Sequence, residues 1–154
     1  MDNTELAEAI SAYLDSHSVL NLATSGPKGT HAASVFYARR EFELFWFSDK
    51  DTRHSRDLAM GVGCAATITD NVDDYTLIQG LQLQGVGEEL VDAAERQTGL
   101  DALNAKYAFM KEFASGPGAE RMAKTSLYRF RPLSIRWIDN TVSFGFKQTL
   151  EFEV

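Results

Sequence analysis

The sequence predicts a mainly β chain, a small antiparallel barrel flanked by helices, and three observations carry that prediction. Short apolar runs recur between turns marked by Gly, Pro, Asn and Asp from Val19 to Ile138. Two other stretches, at the N-terminus and from about Ala93 to Phe113, repeat apolar residues at helical spacing instead. Gly80, Gly85 and Gly87 interrupt the longest strand pattern, and glycines there permit the bends and bulges that close a small barrel.

Length and composition bound the rest. The 154 residues suit one domain, 1–154, with a core of its own. Hydrophobic residues make up 44% of the chain, yet no apolar run approaches the roughly 20 residues that cross a bilayer, so the expectation is no membrane span. The opening MDNTELAEAI is acidic and amphipathic, unlike a secretory signal. Cys64 is the single cysteine, which rules out an intrachain disulfide and fits a cytoplasmic location. A net charge of −7 without a basic patch argues against nucleic acid as a partner.

In chain order, Leu6, Ala9, Ile10, Tyr13 and Leu14 share one face of a first helix, with Asp2 and Glu5 spaced as a capping box. Val19–Thr24 and His31–Ala38 read as the arms of a hairpin around Ser25-Gly26-Pro27-Lys28-Gly29. Arg39-Arg40-Glu41 reads as the next turn and Phe42–Ser48 as a third strand, giving a three-stranded meander. That strand is apolar at nearly every position, so both of its faces need cover. Thr52–Met60 turns helical, Cys64–Thr69 is a strand of small residues, and Thr76–Val91 is one long strand. Its second face carries Gln82 and Gln84, amides that need partners if buried. The helical stretch Ala93–Phe113 is divided at Gly99, and Ser126–Ile138 is a last long strand bent at Pro132, an edge or a bulge. Val142–Val154 reads as an arm that pairs with the body or with another subunit.

The chemistry concentrates after the third strand. Lys50, Arg53, His54 and Arg56 surround the Thr52 and Ser55 hydroxyls at the edge of an apolar sheet. Forked guanidinium donors and hydroxyls at a turn suit a phosphate, which takes charge-assisted bonds from several directions. The alternative is a solvated loop between strands.

The aromatic strand LFWFSD, the loop DKDTRHSRDL, the strand LQLQGVGEEL and the terminal DNTVSFGF, in that order and spacing, resemble the FMN-binding split barrels related to pyridoxamine 5′-phosphate oxidase, a small bacterial branch of them in particular. The likeness spans roughly Leu6 to Leu150 and implies a six-stranded split β-barrel that binds FMN. It implies that the flavin phosphate is held by Thr52, Arg53 and His54, the last standing where the family has lysine, with Lys50 or Arg56 to compensate for the lost charge. It implies that backbone groups of Ser34, Val35, Phe36, Phe47 and Ser48 line the ring and ribityl chain. Gln82 substitutes for a family glutamine whose own place is taken here by Gly80.

The function so implied is a flavin-dependent oxidoreductase, in which the flavin transfers hydride or electrons and the protein orients it. The alternative is a non-catalytic flavin or small-ligand binding module. No catalytic constellation is legible: Ser55, His54 and Asp57 are sequential neighbours on a helical turn and do not face one another. Asp70, Asp73 and Asp74 lack metal-loop spacing and read as a solvated loop, so no metal is expected. NAD(P)H is a transient partner at most, because no dinucleotide fingerprint is present. The doubly apolar third strand, with the resemblance, predicts a homodimer with flavin at the seam; otherwise the two helices cover that strand within one chain.

Overall fold

The computed structural model describes residues 1–153. An eight-stranded antiparallel sheet, curled into a split barrel, holds β1 (Val19–Gly26), β2 (Gly29–Phe36), β3 (Ala38–Arg40), β4 (Glu43–Asp49), β5 (Cys64–Thr69), β6 (Gln79–Glu89), β7 (Thr125–Asp139) and β8 (Lys147–Glu151). The strands run β2-β1-β5-β6-β7-β4-β3, with β8 paired to β7. Six long strands make the expected barrel, and β2 approaches β4 across its open seam; β3 and β8 are short additions. Helices α1 (Asn3–Ser16), α2 (Arg53–Ala59), α3 (Ala93–Lys106) and α4 (Pro117–Met122) flank the sheet.

Helix α1 starts where the sequence places it. The Asp2 carboxylate accepts from the Glu5 amide at 2.8 Å and the Glu5 carboxylate accepts from the Asp2 amide at 3.2 Å, which satisfies two free donors of the first turn. Its apolar face, Leu6, Ile10, Tyr13 and Leu14, joins Leu20, Leu22, Trp46, Ile68, Leu81 and Ile135 in the main core inside the curl.

The expected meander does not form. Strands β1 and β2 pair from Val19↔Phe36 to Gly26↔Gly29, but β4 pairs with β7, from Leu44↔Phe130 to Asp49↔Thr125. Residues 38–40, read as a turn, are the short β3 hydrogen-bonded back on β4. A hairpin between sequential strands is the local option, yet the long β7 pairs with the edge of β4 and places its two faces between the main core and α3. The long strand also begins later than expected, since Tyr75–Leu77 is a 3-10 turn capped by Asp74.

Leu44 and Trp46 of β4 face the main core, while Phe45 packs in a second cluster with Leu90, Ala102, Leu103, Met110 and Leu127. The cover for that outer face is therefore α3 and the 3-10 turn Ala108–Phe113 of the same chain, which removes the apolar patch from which a dimer was argued. Gly99 does not divide this helix. A Cβ there would lie 2.8 Å from Phe45 Cδ1 and 2.9 Å from Leu127 Cδ2, so the glycine lets α3 sit down on the sheet. The helix ends instead at Tyr107, its C-cap.

Pro132 is at a bulge, not an edge. The register of β6 on β7 shifts between Gln84 and Gly85, opposite Pro132. On the other side of β7, Pro132 falls between Phe130, the last residue paired with β4, and Ser134, the first paired with β8, where no partner asks for its missing N–H. The C-terminal arm thus pairs with its own chain through β8, and Val154 lies outside the described residues.

Much of the outer face between β2 and β8 is exposed. One register row, Ser34, Asn21, Thr67, Gln82, Arg136 and Thr149, crosses six strands of that face. Gln82 and Gln84 are both exposed there and need no buried partner.

Candidate functional site

Strand β4 ends in Phe47, Ser48 and Asp49, and the chain turns through residues 50–52 into α2. The Thr52 hydroxyl accepts from the Ser55 amide at 3.2 Å and so caps the helix. Met60 closes α2 at its far end, and Gly61 (φ 74) takes the left-handed conformation just after it. Burial of Leu58 pins this short helix to the main core.

Four of the nine predicted site residues meet here. Ser48 Oγ lies 2.9 Å from His54 Nε2, and Thr52 Oγ1 lies 3.3 Å from the same nitrogen. Arg53 swings toward the β1–β2 turn, where its Nη2 donates to the carbonyls of Lys28 at 2.9 Å and Thr30 at 3.3 Å. Its Nε is buried without a hydrogen-bond partner. A guanidinium N–H without an acceptor is costly to bury, and a ligand anion is one way to satisfy it.

His54 differs from the lysine whose place it takes. Its side chain is buried, and desolvation, helped by His31 stacked parallel at 6.3 Å, pulls its pKa below the ordinary histidine value despite the opposing pull of Asp57. It serves this corner as a neutral hydrogen-bonding ring. Lys50 does not compensate for the missing charge, because its ammonium turns to Glu89 at 3.4 Å. Arg56 does face the site. Its Nε and Nη2 donate to the Asp51 carbonyl at 3.0 and 2.8 Å, and it edges, with Arg53 and Lys28, a cavity of about 260 Å³.

Two members of that cavity escaped the sequence reading. Lys28 sits on the hairpin turn, distant in sequence from α2, and only the fold brings it to Arg53. Asp57 also lines the cavity, buried, accepting from the Thr24 hydroxyl at 2.8 Å. The signal for Asp57 is Gly26: a Cβ there would lie 2.0 Å from Asp57 Oδ1, so the carboxylate occupies the space a side chain would need.

The backbones of β2 and β4 that carry the other predicted residues approach each other across the seam, while their side chains point different ways. Phe36 and Phe47 come together on one aromatic notch under the Ala108–Phe113 turn. Ser34 lies on the outer face, donating to Asn21 Oδ1 at 3.0 Å, and Val35 turns inward against the main core. Gln82 is remote within one chain. It pairs in register with Arg136 of β7 whereas Phe47 pairs with Leu127, which at about 3.3 Å per residue puts them about 30 Å apart along that strand.

No acid–base chain is assembled around His54. Its Nε2 meets Ser48, not Ser55, and Asp57 is engaged by Thr24. Of the other expected candidates, His17 Nε2 lies 2.6 Å from Asp70 Oδ1, and Asp74 accepts from the Thr76 amide at 2.9 Å, which is local turn chemistry. Among the described residues no helix is long and apolar enough to cross a membrane.

Comparison with known proteins agrees with this architecture. No protein-family model matches the chain. A UPF0306 protein of Klebsiella pneumoniae (strain 342) is 25% identical over 145 residues, 93% of this chain and 91% of that protein. A UPF0306 protein of Yersinia pestis bv. Antiqua (strain Antiqua) is 25% identical over 149 residues, 96% of this chain and 94% of that protein. Among solved structures, a heme binding protein from Mycobacterium smegmatis superposes with a TM-score of 0.74 at 21% identity, covering 98% of this chain and 58% of that one. Campylobacter jejuni ChuZ gives 0.75 at 11% identity, covering 98% and 61%, and the Vibrio cholerae heme storage protein HutZ gives 0.66 at 14%, covering 81% and 88%. The chain thus spans under two thirds of the length of the first two of these structures, and at these identities the likeness is one of fold.

Proposed function

We propose that this chain is a cofactor-binding split barrel whose ligand is FMN, held by its phosphate between α2 and the β1–β2 turn. The observation that carries the reading is the convergence of Lys28, Arg53 and Arg56 on one cavity, with the Arg53 Nε buried and unpartnered. Arg53 and Lys28 would hold the phosphate, Thr52 would keep the turn in shape, and Asp57 would accept from ribityl hydroxyls. The bound flavin would supply hydride or electron transfer. The chain's own part is to bind and orient it.

At about 260 Å³ the cavity falls short of the roughly 300–1,000 Å³ of sites that enclose a ligand of drug size, so it suits the phosphate end and leaves the ring to the seam between β2 and β4. That shortfall favours a homodimer in which a second copy completes the site. Gln82, exposed and about 30 Å along β7 from Phe47 in its own chain, can serve a flavin only from such a copy.

The test is a titration of purified protein with FMN, riboflavin and hemin, followed by flavin absorbance and by the Soret band. FMN binding more tightly than riboflavin supports the reading. Riboflavin bound as tightly as FMN, or hemin bound in preference to both, refutes it. The heme arm is included because two of the fold neighbours are described by their heme. With FMN loaded, anaerobic mixing with NADH or NADPH separates reductase from binding module: bleaching of the flavin marks an oxidoreductase, and an unchanged spectrum marks a module or another electron donor.

A further inference from the structure

We propose that the aromatic notch under the Ala108–Phe113 turn is a binding site for a neutral, single-ring aromatic compound. Five rings converge on it: Phe36 from β2, Phe47 from β4, and Tyr107, Phe109 and Phe113 from the segment after α3. Buried Leu103 and Met110 form its floor, and half-buried Met122 of α4 its rim. The volume of the notch is about 170 Å³. A cavity of about 150 Å³ with apolar walls is enough to take benzene.

Three of the ring pairs stand at steep angles, while Tyr107 and Phe109 stack at 25° with centroids 4.8 Å apart. Phe36 meets Tyr107 at 68° and Phe109 at 59°, and Phe109 meets Phe113 at 74°, each with centroids 5.8 Å apart. Such walls offer both faces and edges, and an incoming ring can pack offset or edge-on. The mouth is apolar and open, with Phe36 56% and Phe109 36% exposed, so a ligand would remove aromatic surface from water that the fold leaves there.

Charge selects the ligand. No charged side chain lines the notch, and the single proton of the Tyr107 hydroxyl is already taken up by the backbone carbonyl of Tyr37, with that of Ser18 also in reach. Aromatic cages elsewhere take quaternary ammonium groups, but here the Lys106 ammonium lies 5.6 Å from the Tyr107 ring centroid and already uses that attraction. A second cation would meet repulsion with no carboxylate to offset it. The role of this site as a substrate seat beside the flavin rests on the proposed function, since Phe36 and Phe47 border the same seam. The binding itself does not.

The experiment uses the flavin-free full-length chain and toluene, read by saturation-transfer and chemical-shift titration in NMR. Wild type should bind one toluene saturably, Phe109→Ala should bind it roughly tenfold more weakly, and Met122→Trp, which fills the notch from its rim, should not bind it. Thermal melts by circular dichroism identify a variant that has lost its fold, in which case the other decides. No saturable binding to wild type, equal affinity in both variants, or benzyltrimethylammonium bound as tightly as toluene would overturn the proposal. FMN added to the toluene complex should leave toluene in place, and displacement would show the notch to be the flavin's own seat and overturn it. Toluene bound where FMN does not bind supports the notch and fails the flavin reading alone.

Discussion

Ser48 Oγ and His54 Nε2 lie 2.9 Å apart at the junction of β4 and α2, and this bond joins the end of the aromatic strand to the cationic corner. A buried serine hydroxyl and a buried imidazole satisfy each other there. Burial, with His31 beside it, lowers the pKa of this histidine at a position that the sequence marks as cationic.

The first prediction concerns pH. Burial lowers the His54 pKa in the folded chain, so between the folded and unfolded values the unfolded chain binds more protons. Stability from this group is therefore full above about pH 6.5 and is lost as pH falls below it toward the folded pKa. Urea midpoints at about pH 7.5 and about pH 5.5 should drop more steeply in wild type than in His54→Gln, which retains a partner for Ser48. Equal drops would mean that His54 contributes nothing to acid sensitivity.

The second concerns the anion. Arg53→Ala should weaken FMN by roughly 1.5–3 kcal/mol, the scale of a charge-assisted hydrogen bond, and leave riboflavin unchanged. Arg53→Lys should recover only part of that loss, because a single ammonium cannot donate to the Lys28 carbonyl and reach the phosphate through a fork. Isothermal titration measures both, and a loss shared equally by riboflavin would place Arg53 away from the phosphate.

The third concerns the bulge. A Cβ on Gly85 would lie 2.3 Å from the Arg131 carbonyl oxygen and 2.9 Å from Phe130 Cε1, in the middle of the two longest strands. Neither backbone can move without breaking the ladder, so Gly85→Ala should cost about 3 kcal/mol. Gly29→Ala, where nothing lies within 4 Å but φ is +97°, should cost less, about 1 kcal/mol, through backbone strain alone. Denaturant unfolding compares the two, and a reversed order would contradict the close packing at Pro132.

The fourth concerns assembly. Light scattering at micromolar concentration should give twice the 17.1 kDa chain mass, with flavin lost on dissociation. A mass near that of one chain with flavin still bound would refute a shared site.

The sequence by itself determined the elements whose signal is local. The capping box at Asp2 and Glu5, the hairpin turn at Pro27-Lys28-Gly29 and the helical turn from Thr52 are each written in a few neighbouring residues, because caps and turns are satisfied by short-range backbone chemistry, whereas Pro132 read equally as an edge or a bulge until its neighbours were placed. The barrel class follows from their count and order. Only the tertiary structure decided which strand lies beside β4, which helix covers Phe45, that Gln82 faces outward away from Phe47, and that Lys28 and Asp57 share a cavity with Arg53. Those pairings join residues far apart in the chain. An apolar strand wants two covered faces whichever neighbours supply them, and a lysine on a turn reads the same in solution as beside a guanidinium.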